Sequence, residues 1–599
     1  MNDLSRDPFA EFEAAARDGE AAARTVLADR PDGLPDGFRL RADGVWREVE
    51  VDGEKESRWL CSPLTVLSLT RDRMGTGWGA LVEVMDGDGG AHRWAIPAGL
   101  IQGDGKELRA GLARYGWHMA SDLGAAAALS RLLRMWRPSV RCETSARLGW
   151  TDTRCAAFVL GTGRALGAGS VLYQPDDEHA HVATTAAAEM IAEGTPEGWR
   201  EGVAALCVGN PILLASVSLA FSGPLLEPMN LDGFGLHLRG ESSKGKSTAL
   251  HVAASVWGSP RFVQSWRATA NGLEGVASAC NSTVLILDEM GEVSGREVGM
   301  AAYMLANGVG KTRGGKAGGT RPVARWRTPF LSSGEVTLAT KMAEAGERKR
   351  AGQDVRLLDV AADTRAHGAF DVLHGSRDGG AFSERTKAAT AGNHGRAGPA
   401  FVEAFLGAPE ETLARARYLR DAFRKEAAER FDLGGDGQEQ RAAGALGLVA
   451  AAGELATHWG LTGWRVGAAR EAALEVLGLW LEGRGGVGPA EAREAVARCR
   501  DFLTRHGPAR FELVEPGVAA APVRDRAGWR DQQFFYVSDG AWAEMHAGND
   551  AARAARHVAD ARFLELEKPT RLKRRAPRGV PGRPRLYTVK AGILGDEED

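Results

Sequence analysis

One eight-residue segment, at 240–247, constrains the fold of this chain more than any other. It matches the pattern G-x-x-x-x-G-K-[ST], with a strand-like run before it and a helical run after it. The glycines allow a tight turn whose N–H groups converge on phosphate oxygens, and the helix dipole favours the same anion. This context favours a phosphate-binding loop over an ordinary glycine turn. The candidate ATP-binding residues are Gly240, Glu241, Ser242, Ser243, Lys244, Gly245, Lys246, Ser247 and Thr248.

A second motif, the apolar run 283–287 followed by Asp288 and Glu289, complements the first. Such a run is typical of a buried parallel strand, which would place both carboxylates at its carboxyl end. Lys246 would then contact the β- and γ-phosphates, while the Ser247 hydroxyl and Asp288 would hold Mg²⁺. Glu289 would polarise the attacking water. The pair of acids favours an ATP hydrolase over a small-molecule kinase, with ATP and Mg²⁺ as cofactors.

Three more residues are candidates for the same chemistry. The strand-like segment 327–333 ends in Ser332 and Ser333, which would contact the γ-phosphate or the water; ordinary strand-end serines are the alternative. Arg356 precedes an apolar strand and suits an arginine finger that reaches a neighbouring subunit, with Arg350 as second choice. A surface arginine in a salt bridge is the alternative for this position.

Composition places the chain among soluble globular proteins, since 44% of the residues are hydrophobic and 26% are charged. The six cysteines show no C-x-x-C spacing, which argues against a zinc site or redox pair and for reduced, mostly buried thiols. The longest apolar run, 202–221, contains Asn210 and Pro211 and predicts buried helices, not a membrane span. The polar N-terminus lacks a signal-peptide core, so we expect a cytoplasmic protein.

At 599 residues the chain is long enough for several domains, and its patterns predict a multidomain α/β protein. Strand-like alternation marks the N-terminal part, alternating strands and helices mark the centre, and helical periodicity follows. The predicted segments are a tail or linker at 1–35, a mixed α/β N-terminal domain with much β structure at 36–225, a P-loop ATPase core at 226–375, a helical region at 376–515 and a basic winged-helix-like domain at 516–599.

Strings without a general phosphate-binding role carry a family resemblance. SWRATANGLE at 265–274 and WRTPFLSSGE at 326–335, with YGW at 115–117 and LGW at 148–150, resemble the family called domain of unknown function 927. The resemblance covers about 36–375. Members are similar to superfamily 3 and MCM-like AAA+ helicases of phages, plasmids and other mobile elements, sometimes beside or fused to a primase.

The resemblance implies a ring-forming, hexameric translocase on single-stranded or forked DNA, with a separate primase or initiator as a further partner. The chain has no room for a primase domain of its own. The position of Ser333 also departs from the family pattern, because many related ATPases have Asn there. Two other functions stay open: a DNA-binding ATPase switch, such as a loader, assembly or defence factor, and, more weakly, a packaging motor.

Two basic segments are candidates for DNA contact. The glycine-rich segment 307–321 holds four basic residues and no acid, and a ring helicase places a hairpin there; a solvated loop is the alternative. Residues 553–590 hold 12 Lys or Arg against 3 Asp or Glu, in a helix followed by a basic hairpin, as in a winged helix; a disordered tail is the alternative. The candidates are Lys311, Arg313, Lys316, Arg321, Arg571, Lys573, Arg574, Arg575, Arg578 and Arg583.

Overall fold

A computed structural model of the chain describes ten stretches of residues: 31–167, 171–174, 186–312, 323–347, 356–433, 437–484, 490–514, 523–547, 550–568 and 571–595. They form two compact units. The first runs up to Lys425 and includes Ala443–Leu479, and the second combines Glu426–Ala442 with the residues from Trp480 onward. The six cysteines all lie in described residues, are buried and form no disulfide, as the sequence predicts.

The N-terminal part of the first unit is built mainly of β-strands. Strands β1 to β3 form one antiparallel sheet, β8 to β10 form another, and a third sheet has the order β11-β7-β4-β5-β6. Asp86 accepts hydrogen bonds from the N–H groups of Asp88 and Gly90, which closes the β5–β6 hairpin expected from its Asp-Gly repeat. The elements are β1 (Phe38–Arg41), β2 (Gly44–Val51), β3 (Glu54–Cys61), β4 (Leu64–Arg71), β5 (Gly79–Met85), β6 (Ala91–Pro97), α1 (Ala98–Gln102), α2 (Lys106–Ala113), α3 (Ala125–Met135), β7 (Arg141–Ser145), β8 (Gly149–Trp150), β9 (Ala157–Val159), β10 (Ala165–Gly167) and β11 (Val171–Tyr173).

The long apolar run forms helices inside the first unit. Helix α4 (Pro196–Trp199) continues through a π-helical turn, Arg200–Ala204, into α5 (Ala205–Cys207). Helix α6 (Pro211–Leu226) follows, and every one of its residues is buried. A helix that is apolar all round must be buried among other elements, as the sequence predicts here. Within the described residues, none of the helices combines the length and apolar character that a membrane crossing requires.

A five-stranded parallel sheet forms the centre of the first unit, in the order β13-β14-β15-β12-β16. Its strands are mostly buried, which explains their continuous apolar runs. Because all five are parallel, their carboxyl ends meet at one edge of the sheet. The strands and their helices are β12 (Gly235–Arg239), α7 (Lys246–Ala254), β13 (Gln264–Ser265), α8 (Ala270–Ala279), β14 (Leu285–Asp288), α9 (Gly295–Asn307), β15 (Phe330–Gly334), α10 (Leu338–Glu344) and β16 (Leu357–Ala361).

Helices follow the sheet along the chain, as the Ala-, Glu- and Arg-rich periodicity predicts. They begin with α11, whose N-cap Asp378 accepts a hydrogen bond from the N–H group of Ala381. The domain boundaries drawn from the sequence stay predictions. The helices are α11 (Gly379–Gly392), α12 (Ala397–Gly407), α13 (Pro409–Phe431), α14 (Gly437–His458) and α15 (Ala468–Gly483).

The second unit packs helices on a small sheet with the order β17-β18-β19-β21-β20. Trp542 is fully buried and stacks on Tyr587, with ring centroids 4.3 Å apart. Ser538 and Asp550 cap the two helices α17 and α18, which stand in sequence before a β-hairpin. The elements are α16 (Ala490–Arg510), β17 (Phe511–Leu513), β18 (Gly528–Arg530), β19 (Phe534–Val537), α17 (Asp539–Met545), α18 (Ala551–Asp560), β20 (Arg574–Arg575) and β21 (Arg585–Lys590).

Candidate ATP site

The glycine-rich segment forms a loop between β12 and α7, as expected. Gly245 has a φ of +95°, and a Cβ there would lie 2.4 Å from the ring of Phe370. A Cβ at Gly240 would lie 2.6 Å from the carboxyl carbon of Asp363. Both positions therefore require glycine, one for its conformation and both for space. The N–H groups in the first turn of α7 have no partner within the helix, so they are available to an anion held by this loop.

Backbone contacts hold the loop from two sides. The Glu241 N–H group donates to Asp363 Oδ2 at 2.8 Å, and the Ala369 N–H group donates to the Lys244 carbonyl at 2.7 Å. On the other side, the Gly240 N–H group donates to the carbonyl of Gly334 at 3.2 Å. The segment after β16 and the end of β15 thus fix the loop in place. Asp363 is not predictable from the sequence, because no pattern links it to a loop more than a hundred residues earlier.

Lys246 points its ammonium group back into the loop. Its Nζ donates to the carbonyl oxygens of Gly240 at 2.8 Å and of Glu241 at 2.6 Å, and the residue is 7% exposed. A buried ammonium group needs such acceptors, because burying it without them costs several kcal/mol. Phosphate oxygens are stronger acceptors than carbonyls, so this arrangement suits a lysine that receives an anion.

Asp288 and Glu289 lie at the carboxyl end of β14, at the same edge of the sheet as the loop. Strand β15 lies between β14 and β12, and its Ser333 hydroxyl donates a hydrogen bond to the Asp288 carboxylate. The Glu289 N–H group lies 3.1 Å from Asp288 Oδ1 and 3.3 Å from Ser333 Oγ. The sheet therefore brings together two motifs that the sequence only places in succession.

The environment of Glu289 perturbs its acidity. Partial burial is the largest cause that raises the pKa of Glu289, and the nearby carboxylates of Asp288 and Glu335 raise it further. The Lys246 ammonium group acts in the opposite direction and lowers this pKa. Glu289 is thus within electrostatic reach of Lys246, and a carboxylate with a raised pKa accepts a proton more readily. This is the property that a general base requires.

The two neighbouring serines of β15 face different surroundings. Ser333 contacts Asp288, whereas the buried Ser332 hydroxyl lies 2.9 Å from Nδ1 of His237 and accepts a hydrogen bond from the Trp266 indole at 2.8 Å. Successive strand residues point to opposite faces, which explains the difference. Of the two candidates, Ser333 alone lies against an acid of the second motif.

Arg356 lies at the other edge of the sheet. It directly precedes β16, in which Leu357 pairs with Gly235 at the start of β12, whereas the loop follows the end of β12. Its Nε donates to Asn307 Oδ1 at 2.7 Å, and its guanidinium lies 4.6 Å from the ring centre of Tyr303. Arg356 therefore cannot serve the loop of its own chain. The second choice, Arg350, lies outside the described residues.

Residues near the start of the segment 307–321, which is predicted to carry a hairpin, pair with residues just beyond its end. Val309 pairs with Arg325 in an antiparallel bridge, and the Gly310 N–H group donates to the Ala324 carbonyl at 2.9 Å. Lys311 is exposed next to this paired base. The other candidates of this segment, Arg313, Lys316 and Arg321, lie outside the described residues. The described residues on the two sides therefore run antiparallel, and the hairpin between them stays a prediction.

The C-terminal basic residues differ in whether acids neutralise them. Lys573 lies 2.8 Å from Asp539 and Arg574 4.0 Å from Glu565, while Arg583 Nε donates to the Ala576 carbonyl at 3.1 Å. In the described part of the chain, Arg571, Arg575 and Arg578 form no ion pair.

Helix α18 adds two exposed basic residues that are not among the candidates predicted from the sequence. Arg553 and Arg556 are exposed, and their side chains have no ion-pair partner among the described residues. The helix buries Ala554, Ala555 and Val558 on its other face. The spacing of arginines against small apolar residues in AARAARHVAD was the available signal, because it places the arginines on one helical face.

Comparison with known proteins agrees with the resemblance seen in the sequence. Residues 38–325 match the family described as "Domain of unknown function (DUF927)". A solved structure described as "SCCmec type IV Cch - active helicase" is similar with a TM-score of 0.68 at 16% sequence identity, over 95% of this chain and 100% of that chain. No curated protein matches the sequence. Residues 38–325 therefore match the DUF927 family model, and the chain shares its fold with the Cch helicase structure.

Proposed function

We propose that this chain is an ATP-dependent DNA helicase or translocase that works as a ring, with a hexamer as the favoured assembly, in a mobile element or phage. The observation that carries the proposal is the meeting of Lys246, Asp288 and Glu289 at one edge of the parallel sheet, with Ser333 in contact with Asp288. These residue types fill the phosphate-binding, metal-binding and water-activating roles that ATP hydrolysis at such a loop uses. The fold similarity to a helicase structure supports the choice of DNA as substrate.

In this proposal each residue has one task at the nucleotide. The Lys246 ammonium group moves from loop carbonyls to the β- and γ-phosphates, and Glu289 takes the proton of the attacking water. Ser247, in the first turn of α7, and Asp288 are oxygen donors of the kind that Mg²⁺ prefers. Bound Mg²⁺ neutralises phosphate charge. Ser333 orients the Asp288 carboxylate by its hydrogen bond.

The position of Arg356 supports assembly with further copies. Since Arg356 lies at the edge opposite the loop of its own chain, an arginine finger at this position must act on a neighbour. The adjacent helix α9 exposes Met300 and Tyr303, at 63% and 45%, beside this arginine. Exposed large apolar side chains of this kind suit a contact between subunits.

DNA contact is proposed at both basic regions. In the ring, the hairpin with its base at Val309 and Arg325 would follow the phosphate backbone through the pore. The C-terminal hairpin and helix α18 would form a winged helix, where arginines without acidic partners bind phosphates most readily. We propose single-stranded or forked DNA as the substrate and a separate primase or initiator as a partner. A cytoplasmic location stays a prediction from the sequence.

The test is displacement of a labelled strand from a forked duplex by the purified protein with ATP and Mg²⁺. Lys246→Ala should abolish ATP binding and displacement, because it removes the ammonium group that lies among the loop carbonyls. Lys106→Ala changes an exposed lysine of α2 and should leave both unchanged. ATPase activity that single strands stimulate without displacement would favour the alternative, a DNA-binding switch such as a loader, assembly or defence factor. Turnover retained in Lys246→Ala would remove the site assignment.

A further inference from the structure

A buried carboxylate lies under the base of the predicted hairpin, which the paired residues 308–312 and 323–326 form. Glu274, in helix α8, is 1% exposed, and its Oε2 accepts a hydrogen bond from the Lys311 N–H group at 3.4 Å. Its Oε1 is so close to the hairpin that a Cβ added to Gly310 would lie 2.2 Å from it. The hairpin base therefore packs directly on this side chain.

The segment that leads into α8 is fixed to the candidate ATP site. The Trp266 N–H group donates to the Asp288 carbonyl at 3.0 Å, and the fully buried Trp266 indole donates to Ser332 Oγ at 2.8 Å. Trp266 thus contacts both strands whose ends carry Asp288 and Ser333. A shift of either strand end would move Trp266 with it, because a closely packed interior transmits small displacements.

Only a short connection separates these two contacts, consisting of residues 267–269 and the first turns of α8. Thr269 caps α8, with its hydroxyl accepting the Gly272 N–H group at 3.1 Å, and Glu274 follows five residues later. Five helical residues span about 7.5 Å, and a helix of this length is stiff. The path from Asp288 to the hairpin base therefore runs through Trp266, the capped start of α8 and Glu274.

Burial makes the contact of Glu274 with the hairpin sensitive to position. A carboxylate removed from water requires hydrogen bonds and opposite charge nearby, and losing them costs several kcal/mol. A hairpin that moved away from Glu274 would leave the carboxylate less well satisfied. The side chain therefore favours one position of the hairpin relative to α8.

We propose that Glu274 is a positioning residue that couples the nucleotide site to the paired base at 308–312 and 323–326, so that a change at Asp288 and Ser333 moves this base. This inference rests on the proposed function, because the hairpin is taken to contact DNA. Glu274 touches neither nucleotide nor DNA. It determines how far ATP turnover and the position of the hairpin depend on each other.

The test compares Glu274→Gln with wild-type protein, and uses Glu297→Gln as the matched control. Glutamine keeps the shape and an acceptor oxygen but removes the charge, and Glu297 is an exposed acid on the neighbouring helix α9. Each protein is assayed for ATPase rate without DNA, ATPase rate with single-stranded DNA, and forked-duplex displacement. Glu274→Ala, which also removes the acceptor, serves as a second variant, and thermal unfolding monitors folding.

We expect Glu274→Gln to keep the basal ATPase rate within about twofold while the stimulation by DNA falls about tenfold, the size of a typical coupling between sites. Displacement should fall with it, and Glu297→Gln should behave as wild type. Wild-type stimulation and displacement in folded Glu274→Gln and Glu274→Ala would overturn the inference. Equal loss of basal and stimulated rates in Glu274→Gln would also overturn it, since that indicates a structural role alone. Wild-type protein without any response to DNA would instead refute the proposed function.

Discussion

The hydroxyl of Ser333 donates a hydrogen bond to the carboxylate of Asp288, although 45 residues separate the two along the chain. The contact exists because β15 lies between β12, which leads into the phosphate-binding loop, and β14, which ends in Asp288. Gly334, next along β15, accepts a hydrogen bond from the Gly240 N–H group through its carbonyl. One strand end therefore touches both halves of the candidate ATP site.

Ser333→Ala tests this contact. Without the hydroxyl, the Asp288 carboxylate loses a partner that orients it, so we expect ATP hydrolysis to fall about tenfold or more with little change in stability. Ser332→Ala is the control, because it breaks buried hydrogen bonds to His237 and Trp266 and should cost about 1–3 kcal/mol of unfolding free energy. Measurements of ATP turnover and of unfolding in denaturant distinguish the catalytic effect of Ser333→Ala from the stability effect of Ser332→Ala. Equal effects of both substitutions on turnover would contradict a distinct role for Ser333.

Glu289→Gln should trap bound ATP without hydrolysis, because glutamine cannot accept the proton of the water. We expect a loss of about 100- to 10,000-fold in turnover, with ATP affinity retained, measured by single-turnover hydrolysis and by equilibrium binding. Normal hydrolysis in this variant would exclude Glu289 as the base.

The raised pKa of Glu289 also predicts a pH dependence of turnover in the wild-type protein. The carboxylate must be ionised to act as a base, so turnover should fall as the pH drops through this pKa, which lies above the ordinary range for glutamate. The Glu289→Gln variant should lack that acidic limb in its residual rate. An acidic limb that persists unchanged in the variant would assign it to another group.

If Arg356 acts on a neighbouring subunit, Arg356→Ala should lower turnover by about a thousandfold or more. Mixing this variant with Lys246→Ala should restore part of the activity, because each variant supplies what the other lacks at a shared interface. Arg296→Ala, which changes an exposed arginine of α9, should need no such rescue. Mass measurement with an ATP analogue, with and without DNA, gives the subunit number. Absence of rescue in a confirmed ring would leave Arg356 as a local partner of Asn307 and Tyr303.

Arg553→Ala and Arg556→Ala should each weaken DNA binding by nearly the same factor whatever the base sequence of the DNA. Each should lower the slope of log affinity against log salt by about one, as expected for the loss of one phosphate contact. Lys573→Ala should have a smaller effect, since Asp539 already neutralises this lysine at 2.8 Å. Fluorescence anisotropy over a salt series measures the slopes. A larger effect of Lys573→Ala than of the two arginine variants would place the contact on the hairpin alone.

Several elements of this protein can be predicted from the sequence, because they depend on interactions between residues that are close along the chain. The loop at 240–247, the buried run before Asp288 and the buried helix α6 follow from short-range patterns, because glycine spacing and apolar periodicity act over a few residues. Val309, on one side of the paired base, lies in the segment 307–321 that the sequence selected, whereas its partner Arg325 lies beyond that segment. The family resemblance rested on strings such as SWRATANGLE, which includes both Trp266 and Glu274.

Tertiary structure alone decided which distant residues meet. The strand order brought Ser333 to Asp288, turned Ser332 toward His237 and Trp266, and placed Arg356 at the edge away from the loop. Asp363 contacts the loop, and Glu274 the hairpin base, from 122 and 37 residues away along the chain. Sequence patterns record the conformational preferences of neighbours, whereas these contacts depend on how strands align in a sheet, which no local preference specifies.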